Sequence, residues 1–214
     1  NYDYFCVPCF MIKYPEDDRT LKIKCGFRNL YDEIDLLTTL TEDHQGMSFI
    51  LDLNQAYDLP KAIRFCKEMR RFNIAYIEQP IDKNNLEDLA ELRLHSDIPI
   101  ALDESIHGID SITNIINYNA ADIFILKPQS LGSFNILNQA IKLIKSESKK
   151  ATITSSLEGV IGRACTMHLV SANKIDSPCG LCMEPIYTNE KKPFPKIKNG
   201  AMTIPDYNGI GYVE

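Results

Sequence analysis

The sequence predicts an α/β fold in which parallel strands alternate with helices and close into a barrel. Two observations carry this expectation. The first is a set of short strand-like runs that each end in a charged side chain: residues 20–24 end in Lys24, 49–51 deliver Asp52, 75–77 deliver Glu78, 98–102 deliver Asp103, and 123–126 deliver Lys127. Apolar runs bounded by polar residues are what strands covered on both faces look like, and a charge at the tip is poorly explained by packing. The second is regularity. Lys24, Asp52, Glu78, Asp103 and Lys127 stand 28, 26, 25 and 24 residues apart, about the length of one strand, one loop and one crossover helix. A charged group at the C-terminal end of each strand of a repeating βα unit is the pattern of a barrel whose active site lies on that face.

The elements follow in chain order. Residues 5–12 are apolar around Pro8 and read as the first strand or its remnant, and residues 14–18 as a turn with no room for a crossover helix. From Thr20 to Cys25, Leu21 and Ile23 alternate with Lys22 and Lys24. On an open edge such lysines would face water, but in a closed barrel they face the interior. Leu30, Ile34, Leu37 and Leu40 recur at helical spacing, and Gly46 breaks the chain before the next strand. Leu59-Pro60 opens a helix, with proline in its first turn, that continues through Ile63, Cys66, Met69 and Arg70 to Phe72.

Residues 84–94 are expected to form a helix that buries Leu86, Leu89, Ala90 and Leu94. Asp110-Ser111 is expected to cap a short helix through Ile112, Ile115 and Ile116, and Ser133 a longer one with a stripe of Ile136, Leu137, Ala140, Ile141 and Ile144. Residues 151–154 read as the seventh strand, leading through Ser155-Ser156-Leu157-Glu158-Gly159 into a helix over 160–172. The eighth strand is placed near 179–181, and 193–214 read as a hairpin tail turning at Asn199-Gly200. No second domain is visible, so residues 1–214 are read as one barrel domain.

Composition narrows the function classes. A net charge of −6 disfavours a nucleic-acid footprint, which needs a clustered basic face, and Lys149-Lys150 and Lys191-Lys192 are too short to supply one. No apolar run approaches the roughly twenty residues of a membrane span, and the start of the chain shows no signal-peptide pattern. Seven cysteines, several in apolar runs, suit a reducing compartment, the cytoplasm or an organelle interior such as the plastid stroma. Cys6/Cys9 and Cys179/Cys182 have the spacing of zinc-ligand pairs. Residues three apart on a strand point to opposite faces, however, so small core residues is the better reading.

Three carboxylates at one mouth, Asp52, Glu78 and Asp103, would repel one another unless a cation sat between them. Hard oxygen donors without His or Cys favour Mg2+, with Mn2+ as the alternative. Lys24 and Lys127 would lie across the ion. A lysine beside a divalent cation and a second lysine is favoured as the neutral amine, so one can act as a base near neutral pH. A Lewis acid next to such a base suits removal of a proton α to a carboxylate, which makes a small carboxylate the expected substrate.

Lys22-Ile-Lys24, Asp52-Leu-Asn54, Glu78-Gln-Pro80, Asp103-Glu-Ser105 and Lys127-Pro128, in that order, resemble the enolase superfamily, muconate lactonizing enzyme subgroup. The resemblance implies a TIM-like (β/α)7β barrel, with Lys24 as acid/base, Lys127 on the opposite face of the substrate, and Mg2+ held by Asp52, Glu78 and Asp103. Ser155-Ser156-Leu157-Glu158 followed by Gly162, and Gly180-Leu181, look most like o-succinylbenzoate synthase. The Asp-x-Asp of the dipeptide epimerase branch is absent from Ser177-Pro-Cys-Gly-Leu-Cys182. The resemblance thus implies dehydration of a succinyl-hydroxycyclohexadiene carboxylate in menaquinone or phylloquinone synthesis. It further implies an N-terminal capping domain, not visible in this chain, so the expected partner is a separate capping domain or a second copy of the chain.

Other readings stay open beside this one. Acylamino-acid racemases and cycloisomerases would use the same lysines without loss of water, and a barrel fragment serving as a binding partner would use none of the chemistry. Asn54 and Gln79 read either as substrate contacts or as hydrogen-bond partners of the ligand carboxylates, and Lys22 as a supporting cation. Ser155, Ser156 and Glu158 are candidate substrate contacts or supports of them. Glu104 is the alternative ligand to Asp103, while His44, His95, His107 and His168 fall on surface or helix positions.

Overall fold

The structure is a computed structural model that describes residues 20–181, 202–204 and 209–210, together with the backbone of residues 6–9. Its strands form one sheet in sequence order: β1 (Cys6–Cys9), β2 (Thr20–Lys24), β3 (Ser48–Asp52), β4 (Ile74–Glu78), β5 (Ile100–Leu102), β6 (Ile123–Leu126) and β7 (Lys150–Ile153). β1 runs antiparallel to β2, a pairing that needs no crossover helix. From β2 to β7 every pairing is parallel. The connections are helical: α1 (Leu30–Asp43), α2 (Leu59–Met69), α3 (Leu86–His95), α4 (Ile109–Tyr118), α5 (Pro128–Leu131) and α6 (Phe134–Ser146), with α7 (Val160–Ala172) after β7.

The strands are buried on both sides, and period two divides their apolar residues between two cores. Phe49, Leu51, Ile77, Ile100, Leu102, Phe124 and Leu126 belong to the large core shared with the helices, where Leu37, Phe65, Leu89, Ile115, Leu137 and Ile144 are buried. Ile50, Tyr76, Ala101, Ile123 and Ile125 point the other way and form a separate, smaller core. That second cluster is the interior of the curled sheet. The helices are delimited as their sequences require: Asn29 caps α1 by accepting from Tyr31 and Asp32 N–H, Asp58 caps α2, Asn85 caps α3 and Ser133 caps α6.

Several expectations are corrected. Leu94 is 74% exposed rather than buried. The buried face of α3 is Leu89 and Leu92, and at about 100° per residue Leu94 lies about 140° round from Leu89. The helix expected to start at Asp110-Ser111 starts at Ile109 behind Gly108. Ser111 sits inside the first turn, where its hydroxyl donates to Gly108 C=O and accepts from His107 N–H. β5 begins at Ile100, because Ser96 folds back onto Ile98 and Pro99 has no N–H to give a ladder. α2 ends at Met69 rather than Phe72, and β7 is shifted one residue earlier. The short α5, begun by Pro128, was not expected.

Where the eighth strand was placed, Gly180 forms an isolated parallel bridge with Thr154. The hairpin expected over 193–214 falls mostly outside the described residues; of it, Met202 is buried in the large core. The side chains of Cys6, Cys9 and Cys182 likewise fall outside, while Cys179 is a buried thiol 3.7 Å from the Thr152 hydroxyl. Among the described residues no helix is long and apolar enough to cross a membrane.

Candidate active site

The phase of the strands brings the charged tips together. Ile50, Tyr76, Ala101 and Ile125 face the interior, and two residues further along the same strands stand Asp52, Glu78, Asp103 and Lys127. Period two therefore turns all four into the same space, one layer above the apolar floor. Register completes the group, with Lys24 opposite Asp52 and Asp52 opposite Glu78. The five residues singled out by spacing thus converge at the C-terminal mouth of the sheet.

They meet as a network of charge-assisted hydrogen bonds. Lys22 Nζ lies 2.6 Å from Glu78 Oε1 and 2.8 Å from Asp52 Oδ2. Lys24 Nζ donates to the same Asp52 Oδ2 at 2.7 Å and to Asn54 Oδ1 at 2.5 Å. Asn54 Nδ2 passes the chain on to Glu104 Oε1 at 2.8 Å. Across the mouth, Lys127 Nζ donates to Asp103 Oδ2 at 2.6 Å.

Burial by itself would push the Lys22 ammonium down, but Glu78 and Asp52 outweigh it and hold it above its ordinary value. Burial would likewise raise Asp52, yet Lys22 and Lys24 hold its carboxyl below the usual carboxylate value. Glu78 goes the other way. Its burial, against the pull of Lys22 and helped by Asp52 and Asp103, pushes its carboxyl up.

The backbone that presents these groups is held in uncommon conformations. Asn54 and Gln79, just past Asp52 and Glu78, have positive φ of 41° and 38°. Asn tolerates that region, while Gln seldom adopts it, and such strain persists only where surrounding contacts over-determine it. Here the contacts are visible. Gln79 is buried, its Oε1 accepts from Asp103 N–H and Ser105 N–H, and its Nε2 donates to Ser105 Oγ and Ile81 C=O. Its amide is spent on the backbone that carries Asp103. Asn54 and Gln79 are thus placed as braces of Lys24 and Asp103, respectively. Gly26, two residues beyond Lys24, has φ +90°, and a Cβ there would stand 2.4 Å from Ala56 Cβ, so the loops after β2 and β3 meet only with glycine at this position.

The loop after β7 is closed by one carboxylate. Glu158 Oε2 accepts from the Ser155 hydroxyl at 2.8 Å and from Ser156 N–H at 2.6 Å, and Glu158 Oε1 from the Thr166 hydroxyl at 3.1 Å. A Cβ on Gly162 would fall 2.7 Å from Glu158 Cγ. Glu158 therefore fastens its own loop, and Ser155 is engaged with it. Glu104 as the partner of Asn54, and Thr166 as the partner of Glu158, were not legible in the sequence. No local signal marks a contact between residues 50 positions apart. Glu104, weighed as the alternative ligand, accepts from Asn54 through Oε1, and its Oε2 is buried with no hydrogen-bond partner.

Among the described residues no three carboxylate, His or Cys side chains stand so as to hold a metal ion. Asp52, Glu78 and Asp103 are turned onto lysines. Their chemistry nevertheless fits a hard cation: the donors are all oxygen, and Glu78 Oε2 is buried with no hydrogen-bond partner, which costs free energy until something positive meets it.

Parallel strands alternating with helices thus carry lysines on both sides of a carboxylate cluster at one mouth. The chain belongs to the enolase C-terminal domain-like family, whose model matches residues 16–213, and within that superfamily to the muconate lactonizing enzyme subgroup. It is 28% identical over 193 residues to the N-succinylamino acid racemase of Thermus thermophilus, covering 89% of this chain and 51% of that protein. It is 30% identical over 181 residues to the o-succinylbenzoate synthase of Desulfotalea psychrophila, covering 83% and 49%. Among solved structures, muconate cycloisomerase from Pseudomonas fluorescens superposes with a TM-score of 0.82 at 25% identity, covering 89% of this chain and 54% of that one. The chain spans about half the length of the curated relatives it matches.

Proposed function

We propose that the chain is the barrel of a Mg2+-dependent o-succinylbenzoate synthase, a lyase that dehydrates 2-succinyl-6-hydroxy-2,4-cyclohexadiene-1-carboxylate. The observation that carries the reading is the pair Lys24 and Lys127, from β2 and the end of β6, on either side of Asp52, Glu78 and Asp103. Lys24 as the free amine takes the proton α to the ring carboxylate and returns it to the departing β-hydroxyl. One C–H and one C–O bond break, a ring double bond forms, and water leaves. Lys127, as an ammonium, holds the negative charge that develops on the carboxylate oxygens. Mg2+, when bound by Asp52, Glu78 and Asp103, supplies a Lewis acid for that same charge, and members of the superfamily generally use it. Lys22 keeps Asp52 and Glu78 from repelling each other, and Asn54 holds Lys24 in line.

Support for this substrate comes from Ser155-Ser156-Leu157-Glu158 with Gly162, from the missing Asp-x-Asp at 177–182, and from relatives named o-succinylbenzoate synthase. The partners of this reading are the small carboxylate substrate and a capping domain supplied by another stretch of chain or another copy. A second reading, an N-succinylamino acid racemase using the same lysines without loss of water, is favoured by the Thermus relative. The test is formation of the aromatic product from the cyclohexadiene, with Mg2+ and with chelator, by the chain and by Lys24→Ala. Metal-dependent product that vanishes in the variant supports the synthase. Racemisation of an N-succinylamino acid without dehydration selects the second reading.

A further inference from the structure

Outside the lysine–carboxylate network, a cavity joins an apolar wall to a cluster of cations. It measures about 340 Å³ and opens between the β2–α1 loop and α2, lined by Tyr57 and Phe65 and, on the charged side, by Arg28, Lys61 and Arg64. That volume lies in the ~300–1,000 Å³ range of small-molecule sites. The two rings pack against each other, centroids 5.4 Å apart and tilted by 60°, so the apolar wall is preformed. Burial first, with Glu33 and Cys25 adding, pushes the Tyr57 hydroxyl up to about 12, so it remains a proton donor at neutral pH.

The charges are what a folded protein has to explain. Lys61 and Arg64 are three apart on one face of α2, and Arg28 reaches in from the neighbouring loop. Among the described residues neither Lys61 nor Arg64 has a carboxylate partner, and Arg28 has only Glu33, at 4.0 Å. Of the nearby acids, Asp58 accepts from Lys61 N–H, Asp32 accepts from Asn29, and buried Glu33 accepts from Gly26 N–H through Oε1 while its Oε2 stands 4.0 Å from Arg28. Three cations thus line one cavity, and among the described residues neither Lys61 nor Arg64 is held in an ion pair. Two guanidinium forks and an ammonium suit a group with several oxygens, and the aromatic wall suits a flat apolar body.

We propose that this cavity binds a small dianion, a phosphate ester or a dicarboxylate, carried on a flat apolar body. The apolar part lies against Tyr57 and Phe65, and the oxygens meet Arg28, Lys61 and Arg64. The site is distinct from the lysine–carboxylate mouth and does not depend on which substrate the mouth takes.

The test is calorimetric titration of the whole chain in Mg2+-free, low-salt buffer with phenyl phosphate and with phthalate, and with benzyl alcohol as the uncharged control. At least one dianion is expected to bind once per chain, and benzyl alcohol not at all. Affinity should fall about a hundredfold or more in Lys61→Ala/Arg64→Ala, which removes two charge-assisted bonds. Both side chains are exposed, so the fold is expected to persist, and circular dichroism checks it. Lys24→Ala should bind as the parent does. Preference for phenyl phosphate identifies a phosphate ester and preference for phthalate a dicarboxylate. Absence of binding by both, binding that survives the double variant, or binding that requires Lys24 overturns the proposal.

Discussion

The two lysine-bearing sides of the mouth are built differently. On the β2 side, Lys22 and Lys24 share one oxygen of Asp52, Lys22 also holds Glu78, and Lys24 is fixed again by Asn54, which is itself tied to Glu104. On the β6 side, Lys127 meets Asp103 alone among the described side chains and stands at the start of α5, where Pro128 and Gln129 turn the chain. Lys24 is held by two side chains distant in sequence, Lys127 by one. The first arrangement suits a group that must meet a C–H bond in line, because proton transfer depends steeply on geometry. The second suits a cation whose charge acts through a field and tolerates small displacement.

The largest test of that asymmetry is to remove each lysine in turn. Lys24→Ala should cut kcat for the aromatic product by up to ~10⁴-fold, the upper end for general base catalysis. Lys127→Ala should cost ~10²–10³-fold, the range for one charge-stabilising donor. Equal losses would break the comparison, and in a racemase assay each variant should instead lose exchange from one enantiomer.

Next in size is Glu78→Gln, which should weaken Mg2+ binding by more than the ten- to hundredfold typical of changes outside the ligand set. Because burial holds the Glu78 carboxyl up, a proton competes with the ion there. Binding requires that proton to leave, so Mg2+ affinity of the parent should rise with pH across the neutral range. In Glu78→Gln the dependence should flatten, as read by calorimetry at several pH values. An affinity that falls as pH rises would contradict the assignment.

Asn54→Ala acts on the β2 side only. It frees Lys24 from one of its bonds and leaves Glu104 Oε1 without its partner, a loss of about 1–1.5 kcal/mol, or roughly tenfold in kcat with KM little changed. A shift in KM alone would instead make Asn54 a substrate contact. An effect on stability, with no direct loss of a site hydrogen bond, is expected behind the β6 side. Gly162→Ala would press on Glu158 and come within 3.6 Å of Gln129 Nε2. Overpacking of this kind costs about 1–3 kcal/mol, a Tm drop of several degrees at this chain length, measured by thermal unfolding.

The strand tips were legible because two local rules coincide there: an apolar run marks a strand, and a charge at its end violates what packing would choose. Helices such as α6 were legible for a similar reason, since Leu137, Ala140, Ile141 and Ile144 repeat at the period of the helix and are all buried. Leu94 was misread because apolarity was taken for burial, and its angle round α3 decides otherwise. Asp110-Ser111 was misread because Ser favours caps, yet Ser111 satisfies His107 and Gly108 from within the turn. Asn54 and Gln79 were left between two roles, and only their partners separate bracing from contact.

By itself the sequence determined the order and spacing of the strands, the period-two phase that puts Lys24, Asp52, Glu78, Asp103 and Lys127 on one side, and the hard-oxygen character of the donors. These follow from covalent geometry and residue chemistry, which act over a few residues. Tertiary structure decided which lysine meets which carboxylate, how Gln79 braces Asp103, and that Arg28 joins Lys61 and Arg64 around one cavity. Such pairings depend on sheet register and loop packing between segments 24 to 56 residues apart, where no local pattern carries the information.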